Sequence, residues 1–448
     1  MKRFALVAAA FFLCIQLFGQ EVSEKQELAV FNVSHSGYEI PSRALKMVDN
    51  EIRDVFINIG RFDVIGLNYQ FSNEEVDAYI ERIREHREIS VEIPEEVRLG
   101  EKAFTEADFN KLLNAFIVAV PSIVYFRTGV TRDGRFAAEM ETHFTFINVE
   151  ELKTFHSFTI RTIGLDSRSM DDAVREAAGD ISLQLGYELK KIPMFQIKTG
   201  IIDVMGRDVL VEFGRDMGVR KGEEYSIVET RLLESGHTVT EETGLIVIKD
   251  VKDTVSVGRV IYSKDKPVVG DMVRELPRIG FDTSAYIYPV FDFTALAQDE
   301  STPANLRIPL VPAMMMGIRQ SISIGMYRAR PLIGVEIPVR FETDGDTVTS
   351  RLSEGFPMNF FIGGELNWYF WRFQAVPRFT TGPGGQAING GNGFQLTHWG
   401  FKTGLTLNYL LGNRVRIGLE GGYTYWFGFD ITDDYGGIFL GLGAQVRY

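Results

Sequence analysis

Apart from one residue, this chain lacks cysteine. Cys14 lies in the N-terminal segment MKRFALVAAAFFLCIQLFGQ, where Lys2 and Arg3 precede an apolar run that ends near Gly19. This pattern predicts a secretory signal peptide over residues 1–19. An exported chain without a thiol forms no disulfide, no cysteine-metal site and no cysteine nucleophile. Lipidation of Cys14 and a retained membrane anchor are the alternatives; the large residues before the cysteine and the short apolar run disfavour them.

The chain also lacks a basic excess and any recognisable catalytic or metal-ligand spacing. Its formal net charge of −13 argues against a nucleic-acid-binding protein, which needs a basic face. The six histidines are scattered, and none has a second ligand at metal-site spacing. The sequence shows neither a Ser-His-Asp arrangement nor a phosphate-binding loop. We therefore predict no catalytic residues, no metal, no other cofactor and no enzymatic activity.

Apolar and polar residues instead alternate along the C-terminal part of the chain, from Ile279 onward. Eight candidate strands follow one another, at roughly 279–293, 306–320, 328–341, 356–370, 372–380, 395–410, 413–428 and 435–448. Short links such as Trp371 alternate with long polar loops such as TGPGGQAINGGNG and DITDDYGG. This combination predicts an eight-stranded antiparallel transmembrane β-barrel over residues 279–448, topologically similar to the outer-membrane protein A type.

The last strand, YGGIFLGLGAQVRY, has two unlike faces. One face carries Leu440, Leu442, Ala444, Val446 and Tyr448, and the other carries mainly glycine, glutamine and arginine. The segment resembles the C-terminal signal of bacterial outer-membrane proteins, with apolar residues at alternate positions before a final aromatic. That resemblance implies that the barrel-assembly machinery reads these five residues and that the apolar set faces lipid.

The inward faces of the predicted strands carry charge. We predict a lumen charge network, whose members are Glu336, Arg340, Glu365, Lys402, Arg416, Glu420 and Arg447. Arg319, Arg372, Arg378 and Arg414 fall on the same predicted faces. Eight strands leave an interior just wide enough for side chains, so opposite charges should pair and fill it. The pattern favours an anchor over an open pore. A soluble β-sandwich is the alternative, but it would not bury such residues between its sheets.

Residues 27–192 read as an α/β domain. The strand LAVFNVS is followed by an amphipathic helix over 41–59, the strand RFDVIG, further strands, and a last helix that Ser169 caps. LAVFNVS, this helix and GRFDVI resemble the periplasmic domain of curli-assembly lipoproteins and the N-terminal domain of TolB-type proteins. Those curli proteins are lipidated and build their own pore, whereas this chain is predicted to anchor itself, so no pore activity is carried over.

Residues 197–275 read as a small β-rich module. Glycines separate short strands, and GVRKGE at 218–223 repeats the turn pattern of Val269-Gly270-Asp271. The segment resembles the small β-barrel module at the end of flagellar-assembly T proteins. The linker LPRIG, at 276–280, would lead into the membrane.

The sequence thus predicts a multidomain α/β and all-β protein of the bacterial outer membrane, with its N-terminal domains in the periplasm. The expected function is non-enzymatic: the barrel anchors adaptor domains that bind partners in envelope or appendage assembly. The expected partners are outer-membrane lipid, the barrel-assembly machinery and unidentified periplasmic or envelope proteins, and no nucleic acid. An adhesin or ligand binder that uses the long loops, and a narrow solute channel, are the alternatives.

Overall fold

The computed structural model describes most of the chain beyond residue 22. Described are residues 23–35, 37–70, 96–99, 102–105, 115–292, 313–339, 341–344, 347–350, 355–388, 394–429 and 435–448, with Glu75, Ala78, Ile80 and Glu81 in between. The chain forms two compact units. The first runs to Thr199 and includes the loops Phe213–Val219 and Lys252–Thr254. The second contains Gly200–Glu212, Arg220–Val251 and Val255–Tyr448.

The first unit has a mixed sheet with two helices packed on one face. Its elements are β1 (Gln26–Asn32), β2 (Ser34–His35), α1 (Ser42–Asn58), β3 (Phe62–Gln70), β4 (Glu96–Leu99), β5 (Lys102–Thr105), β6 (Ile117–Val130), β7 (Phe136–Asn148), β8 (Lys153–Asp166) and α2 (Met170–Lys191). The strand order is β3-β1-β6-β7-β8, with β2 beside β6 and a separate β4-β5 pair. Strands β3, β1 and β6 are parallel, and β6 to β8 are antiparallel.

Both helices lie where the sequence predicts them. α1 buries Val48, Ile52 and Phe56 at helical spacing, and Gly60 follows it with a φ of 74° that favours glycine. The hydroxyl of Ser169 accepts a hydrogen bond from the Asp172 amide at 3.1 Å and so caps α2. In the part of the chain that the structure describes, no helix is long and apolar enough to cross a membrane.

A closed six-stranded barrel follows. Its strands are β9 (Lys198–Met205), β10 (Asp208–Val211), β11 (Glu224–Leu232), β12 (Thr238–Val251), β13 (Ser256–Ser263) and β14 (Met272–Glu275), in the order β10-β13-β12-β11-β14-β9, and a short 3₁₀ helix lies at Arg215–Met217. Most of its buried side chains are apolar, among them Val209, Ile227, Ile246, Ile248 and Val273. It therefore holds together as an ordinary soluble barrel does, by burying apolar side chains inside.

The rest of the second unit is a closed eight-stranded antiparallel barrel, so the predicted strand number, antiparallel pairing and closure are confirmed. Its strands are β15 (Phe281–Asp292), β16 (Ala313–Ile322), β17 (Ala329–Val339), β20 (Gly355–Leu366), β22 (Phe373–Ile388), β23 (Phe394–Leu410), β24 (Val415–Gly428) and β25 (Tyr435–Arg447). β25 pairs with β15, and β20 pairs with β22, which closes the ring. The hairpin of β18 (Phe341–Asp344) and β19 (Thr347–Ser350) lies between β17 and β20, and β21 (Trp368–Phe370) continues β20.

One predicted loop is partly strand. We expected the fifth strand to end at Thr380, but β22 continues to Ile388 and takes in TGPGGQAI, the larger part of the predicted glycine-rich loop TGPGGQAINGGNG. The glycines suit this position because the backbones lie close together. A Cβ on Gly382 would overlap the carbonyl of Phe360, and one on Gly384 would overlap the Asn359 side chain. Glycine here permits close packing and does not mark a loop.

Candidate functional site: the charged lumen and its capped mouth

The outer surface of the eight-stranded barrel is apolar. Large apolar side chains are exposed on neighbouring strands, among them Ile287, Met316, Ile318, Ile333, Phe360, Ile362, Phe379, Leu407, Ile417, Leu419, Phe427 and Leu442. Inward neighbours such as Glu336 and Asn359 are almost fully buried. Water-soluble proteins do not expose a continuous surface of this kind, so the barrel carries its apolar side chains on the face that a bilayer would contact.

The predicted assembly signal lies on this outer surface. Leu440 and Leu442 are 61% and 62% exposed, Ala444 is exposed, and Val446 is partly exposed on the same face of β25. Tyr448 is 49% exposed, and its carbonyl accepts hydrogen bonds from the amides of Ile279 at 2.8 Å and Gly280 at 3.2 Å. Tyr448 thus lies beside the point where the chain enters β15, the first strand of this barrel.

Glu336 is the centre of one buried group in the lumen. Its two carboxylate oxygens accept hydrogen bonds from the hydroxyls of Tyr286 and Tyr288, each at 2.8 Å. The ammonium of Lys402 lies 2.9 Å from the same carboxylate and 4.1 Å above the ring of Tyr288. Phe439 packs against Tyr288 with ring centroids 4.5 Å apart. The charge of Glu336 is therefore matched by one cation and two hydroxyl donors.

Glu420 links this group to the neighbouring strands. It lies 3.2 Å from Lys402, 2.6 Å from Arg319 and 3.6 Å from Arg378. Arg378 also donates from Nε to Glu365 at 2.9 Å. These side chains come from five different strands and are all nearly buried. Because the ion pairs cross the lumen, they fill it and connect opposite walls of the barrel.

A second buried charge group lies at the end of the lumen where the chain enters and leaves the barrel. Asp282, on the first strand, is 2.6 Å from Arg330, 3.4 Å from Arg447 and 4.0 Å from Arg416. Arg416 also donates to the side-chain oxygen of Gln445 at 3.2 Å. Three guanidinium groups share a single carboxylate here, so this group needs further negative charge.

The six-stranded barrel supplies that charge. Glu224, the first residue of β11, is fully buried and forms an ion pair with Arg447. The guanidinium of Arg278 lies 3.1 Å from the other oxygen of Glu224 and donates to the Arg447 carbonyl at 3.2 Å. One residue of the small barrel therefore adds a second carboxylate to the charge group at the mouth of the large one.

Further contacts surround this ion pair. The hydroxyl of Tyr262 donates to Asn413 in the turn between β23 and β24 at 2.7 Å, and the guanidinium of Arg372 lies 4.0 Å above the Tyr262 ring. Burial raises the pKa of the Tyr262 phenol above its ordinary value, so the group stays a proton donor. Gly222 approaches the carbonyl of Met326 so closely that a Cβ would overlap it. The small barrel thus covers the mouth through packed contacts as well as charge.

The structure places most of the predicted lumen residues together. Buried in the lumen are Glu336, Glu365, Lys402, Arg416, Glu420 and Arg447. Arg340 lies outside the described residues, as do the signal peptide and Cys14. Arg414 is exposed and Arg372 is half-buried, because both lie in turns and not within a strand. A functional role for the network remains a prediction.

Sequence reasoning missed three members of the mouth group. Asp282 and Arg330 are the second residues of their strands, where a lone charge resembles a turn residue. Glu224 lies 223 residues before its partner Arg447, in a different barrel. The alternation in β15 and β17 could have shown the first two, but no local pattern points to Glu224.

No metal centre is apparent among the described residues. Within them, no group of three or more histidine, cysteine, aspartate or glutamate side chains could hold a metal ion. The carboxylates of the lumen each have cationic partners at ion-pair distance. The chemistry of this site is therefore charge pairing in a closed space.

Comparisons with known proteins add outer-membrane barrels as distant structural neighbours. No family's sequence profile matches this chain, and no curated protein matches it. Neisserial surface protein A is 14% identical, with a TM-score of 0.25, and the match covers 38% of this chain and 97% of that protein. A major outer membrane protein from Thermus thermophilus is 11% identical, with a TM-score of 0.20, over 38% of this chain and 99% of its own. PelC from Paraburkholderia phytofirmans, a dodecamer, is 15% identical, with a TM-score of 0.22. The match covers 36% of this chain and 88% of PelC. At such low scores none of them assigns a family or a function.

Proposed function

We propose that this chain is a non-enzymatic bacterial outer-membrane protein whose eight-stranded barrel is an anchor. The observation that carries the proposal is the inverted arrangement of the barrel: apolar side chains outside and ion pairs inside. Such a barrel would expose a large apolar surface to water, whereas a bilayer would cover it. The exposed apolar residues at alternate positions of β25 support recognition by the barrel-assembly machinery.

The lumen supports an anchor in preference to a channel. Ion pairs around Glu336 and Glu420 join strands across the interior, and the six-stranded barrel covers one mouth through Glu224. A conducting pore needs a continuous aqueous path, which packed and paired side chains do not leave. We expect no single-channel steps from the wild-type protein in planar bilayers. Regular conductance steps would favour the solute channel over the anchor.

The connections between strands support an orientation in which the covered mouth faces the periplasm. The covered mouth lies at the end with the short turns, such as Trp371-Arg372 and the turn around Asn413. Outer-membrane barrels have their short turns on the periplasmic side. The small barrel and the α/β unit would then lie in the periplasm, where we propose that they bind partner proteins in envelope or appendage assembly.

Deletion of residues 279–448 tests the anchor. We expect the remaining protein to leave the outer membrane, and the full chain to show heat-modifiable mobility, which reports a folded barrel. Flotation on a density gradient separates membrane-bound protein from aggregates, which do not float. A matched variant that lacks residues 23–196 should float with the membranes. A 279–448 deletion that still floats would rule out the anchor.

A further inference from the structure

Part of the six-stranded barrel projects as a free-standing ribbon. β11 pairs with β14 only as far as Val228, and β12 pairs with β13 only from Gly244 onward. Beyond these points Glu229–Leu232 and Thr238–Glu242 pair only with each other. An isolated two-stranded ribbon is marginally stable in water. This one extends roughly 13 Å past Val228, at about 3.3 Å per residue, so a supporting surface would stabilise it.

The two faces of the ribbon differ in charge. Residues paired across the strands share a face, as the Thr230 and Thr240 hydroxyls show by lying 3.4 Å apart. One face, named the leucine face, consists of Val228, Thr230, Leu232, Thr238 and Thr240, with Glu242 at its base beside Val228. The opposite face consists of Glu229, Arg231, Val239 and Glu241, and Arg231 forms an ion pair with Glu229 at 3.0 Å. Leu232 is 75% exposed, among the most exposed of the large apolar side chains described.

The contacts at the base of the ribbon show which part of the protein lies on the side of the leucine face. Glu242 pairs with Val228 and so shares this face. Its carboxylate is bound by Arg274 at 3.0 Å and by the side-chain amide of Asn413, in the short turn between β23 and β24. Leu411, in the same turn, is 55% exposed and directly follows β23, whose Leu405 and Leu407 are exposed on the outer surface of the eight-stranded barrel. The base of the leucine face thus meets the eight-stranded barrel at a turn on the rim of that surface.

We infer that the leucine face rests on the membrane, at the headgroup and acyl boundary of the leaflet that surrounds the barrel mouth. The inference depends on the proposed function, because it needs the barrel in a bilayer. Leucine and threonine suit this boundary: the apolar groups enter it while the hydroxyls keep hydrogen-bonding partners. Glu229, Arg231 and Glu241 point away from the lipid into water. The ribbon is therefore a second lipid contact, outside the barrel wall.

Single-cysteine labelling tests this, since Cys14 is the chain's only cysteine. In the full chain with Cys14→Ser, the variants Leu232→Cys and Arg231→Cys each carry one environment-sensitive NBD fluorophore and are reconstituted in phosphatidylethanolamine and phosphatidylglycerol vesicles. We expect blue-shifted, brighter emission at position 232 that lipid-borne nitroxides quench. At position 231, the adjacent residue on the opposite face, we expect emission typical of water.

Leu440→Cys is the control that separates this inference from the proposed function, because it labels the outer surface of the barrel. Lipid quenching at position 440 together with water-like emission at 232 overturns the ribbon contact alone. Water-like emission at 440 overturns the membrane barrel and the ribbon contact together. A signal at 232 that appears only at high protein-to-lipid ratio would identify a second copy of the chain as the occupant and also overturn the inference.

Discussion

The two closed barrels of this chain bury opposite kinds of side chain. In the six-stranded barrel the interior is mostly apolar, with Ile246 and Val273 fully buried. In the eight-stranded barrel the interior holds Glu336 and Glu420, and the exterior exposes residues such as Leu442. A period of two fixes only that a strand has two unlike faces. Which face turns inward depends on the medium outside, water for one barrel and, as we propose, lipid for the other.

Removing a carboxylate from the charged lumen should have the largest effect on stability and tests the contrast between the two barrels most strongly. Glu420→Ala leaves Arg319 and Lys402 buried without this partner, and breaking a buried pair costs about 3–5 kcal/mol of unfolding free energy. Urea unfolding in lipid vesicles, followed by heat-modifiable mobility, measures the loss. Glu420→Gln, which keeps the shape and an acceptor oxygen, should lose less. Equal stability of Glu420→Ala and wild type would mean that water, not ion pairing, solvates the lumen.

The six-stranded barrel should respond to the loss of buried apolar volume. Ile246→Ala leaves a cavity in its core and should cost about 2–5 kcal/mol. The matched change Leu440→Ala, on the exterior of the eight-stranded barrel, should cost less, because lipid chains can refill the space. Proteolysis measures the stability of the small barrel, and heat-modifiable mobility measures the stability of the large one. The costs at the two sites are therefore determined separately. Similar costs at both sites would argue against a lipid-facing exterior.

A charged side chain placed on the exterior of each barrel tests whether the two exteriors meet different media. Leu442→Arg, near the middle of β25, should cost about 2–4 kcal/mol if this face meets the bilayer centre. The matched Ile202→Arg, on the partly exposed outer face of the small barrel, should change stability by no more than about 0.5 kcal/mol. Urea titrations of the two variants in vesicles measure both. A Leu442→Arg protein as stable as wild type would contradict a membrane position for the strand.

The smallest effect concerns the surface of the small barrel. Burial raises the pKa of Asp208, but hydrogen bonds from Arg259 and Lys249 outweigh it and lower the pKa below the ordinary 3.8. A depressed pKa stabilises the fold above pH 3.8, and this contribution is lost as pH falls through the folded-state pKa. Asp208→Asn should therefore cost less than about 1 kcal/mol at neutral pH. Thermal unfolding of wild type and Asp208→Asn from pH 7 to pH 2 should show their difference in stability shrinking as the pH falls. A difference that stays constant would contradict the lowered pKa of Asp208.

The eight-stranded barrel was predictable because each strand carries its own signal. The faces of β17, β20, β24 and β25 could be assigned from alternation alone, down to buried Glu365 and exposed Ile362. The glycine-rich segment was the part of the barrel that was predicted wrongly. Gly382 and Gly384 read as a loop, yet they lie in β22, where neighbouring groups leave no room for a Cβ. A sequence shows that glycine is present but not whether a turn or a close neighbour requires it.

The charge group at the mouth marks the limit of local reasoning. Arg447 was assigned to the lumen from its strand, but its partner Glu224 opens a strand of another barrel 223 residues earlier. Neither residue's neighbours in the chain indicate this pairing. Only closure of the large barrel and docking of the small one bring the two charges together in a space that excludes water.

The sequence by itself determined the alternation, the strand number of the large barrel and the two helices, because these depend on periodicity, on capping and on contacts between near neighbours. Tertiary structure decided which carboxylates and guanidinium groups pair in the lumen and that Glu224 closes the mouth. Those features depend on distances between residues far apart in the chain, and such distances are set only when the strands close into barrels.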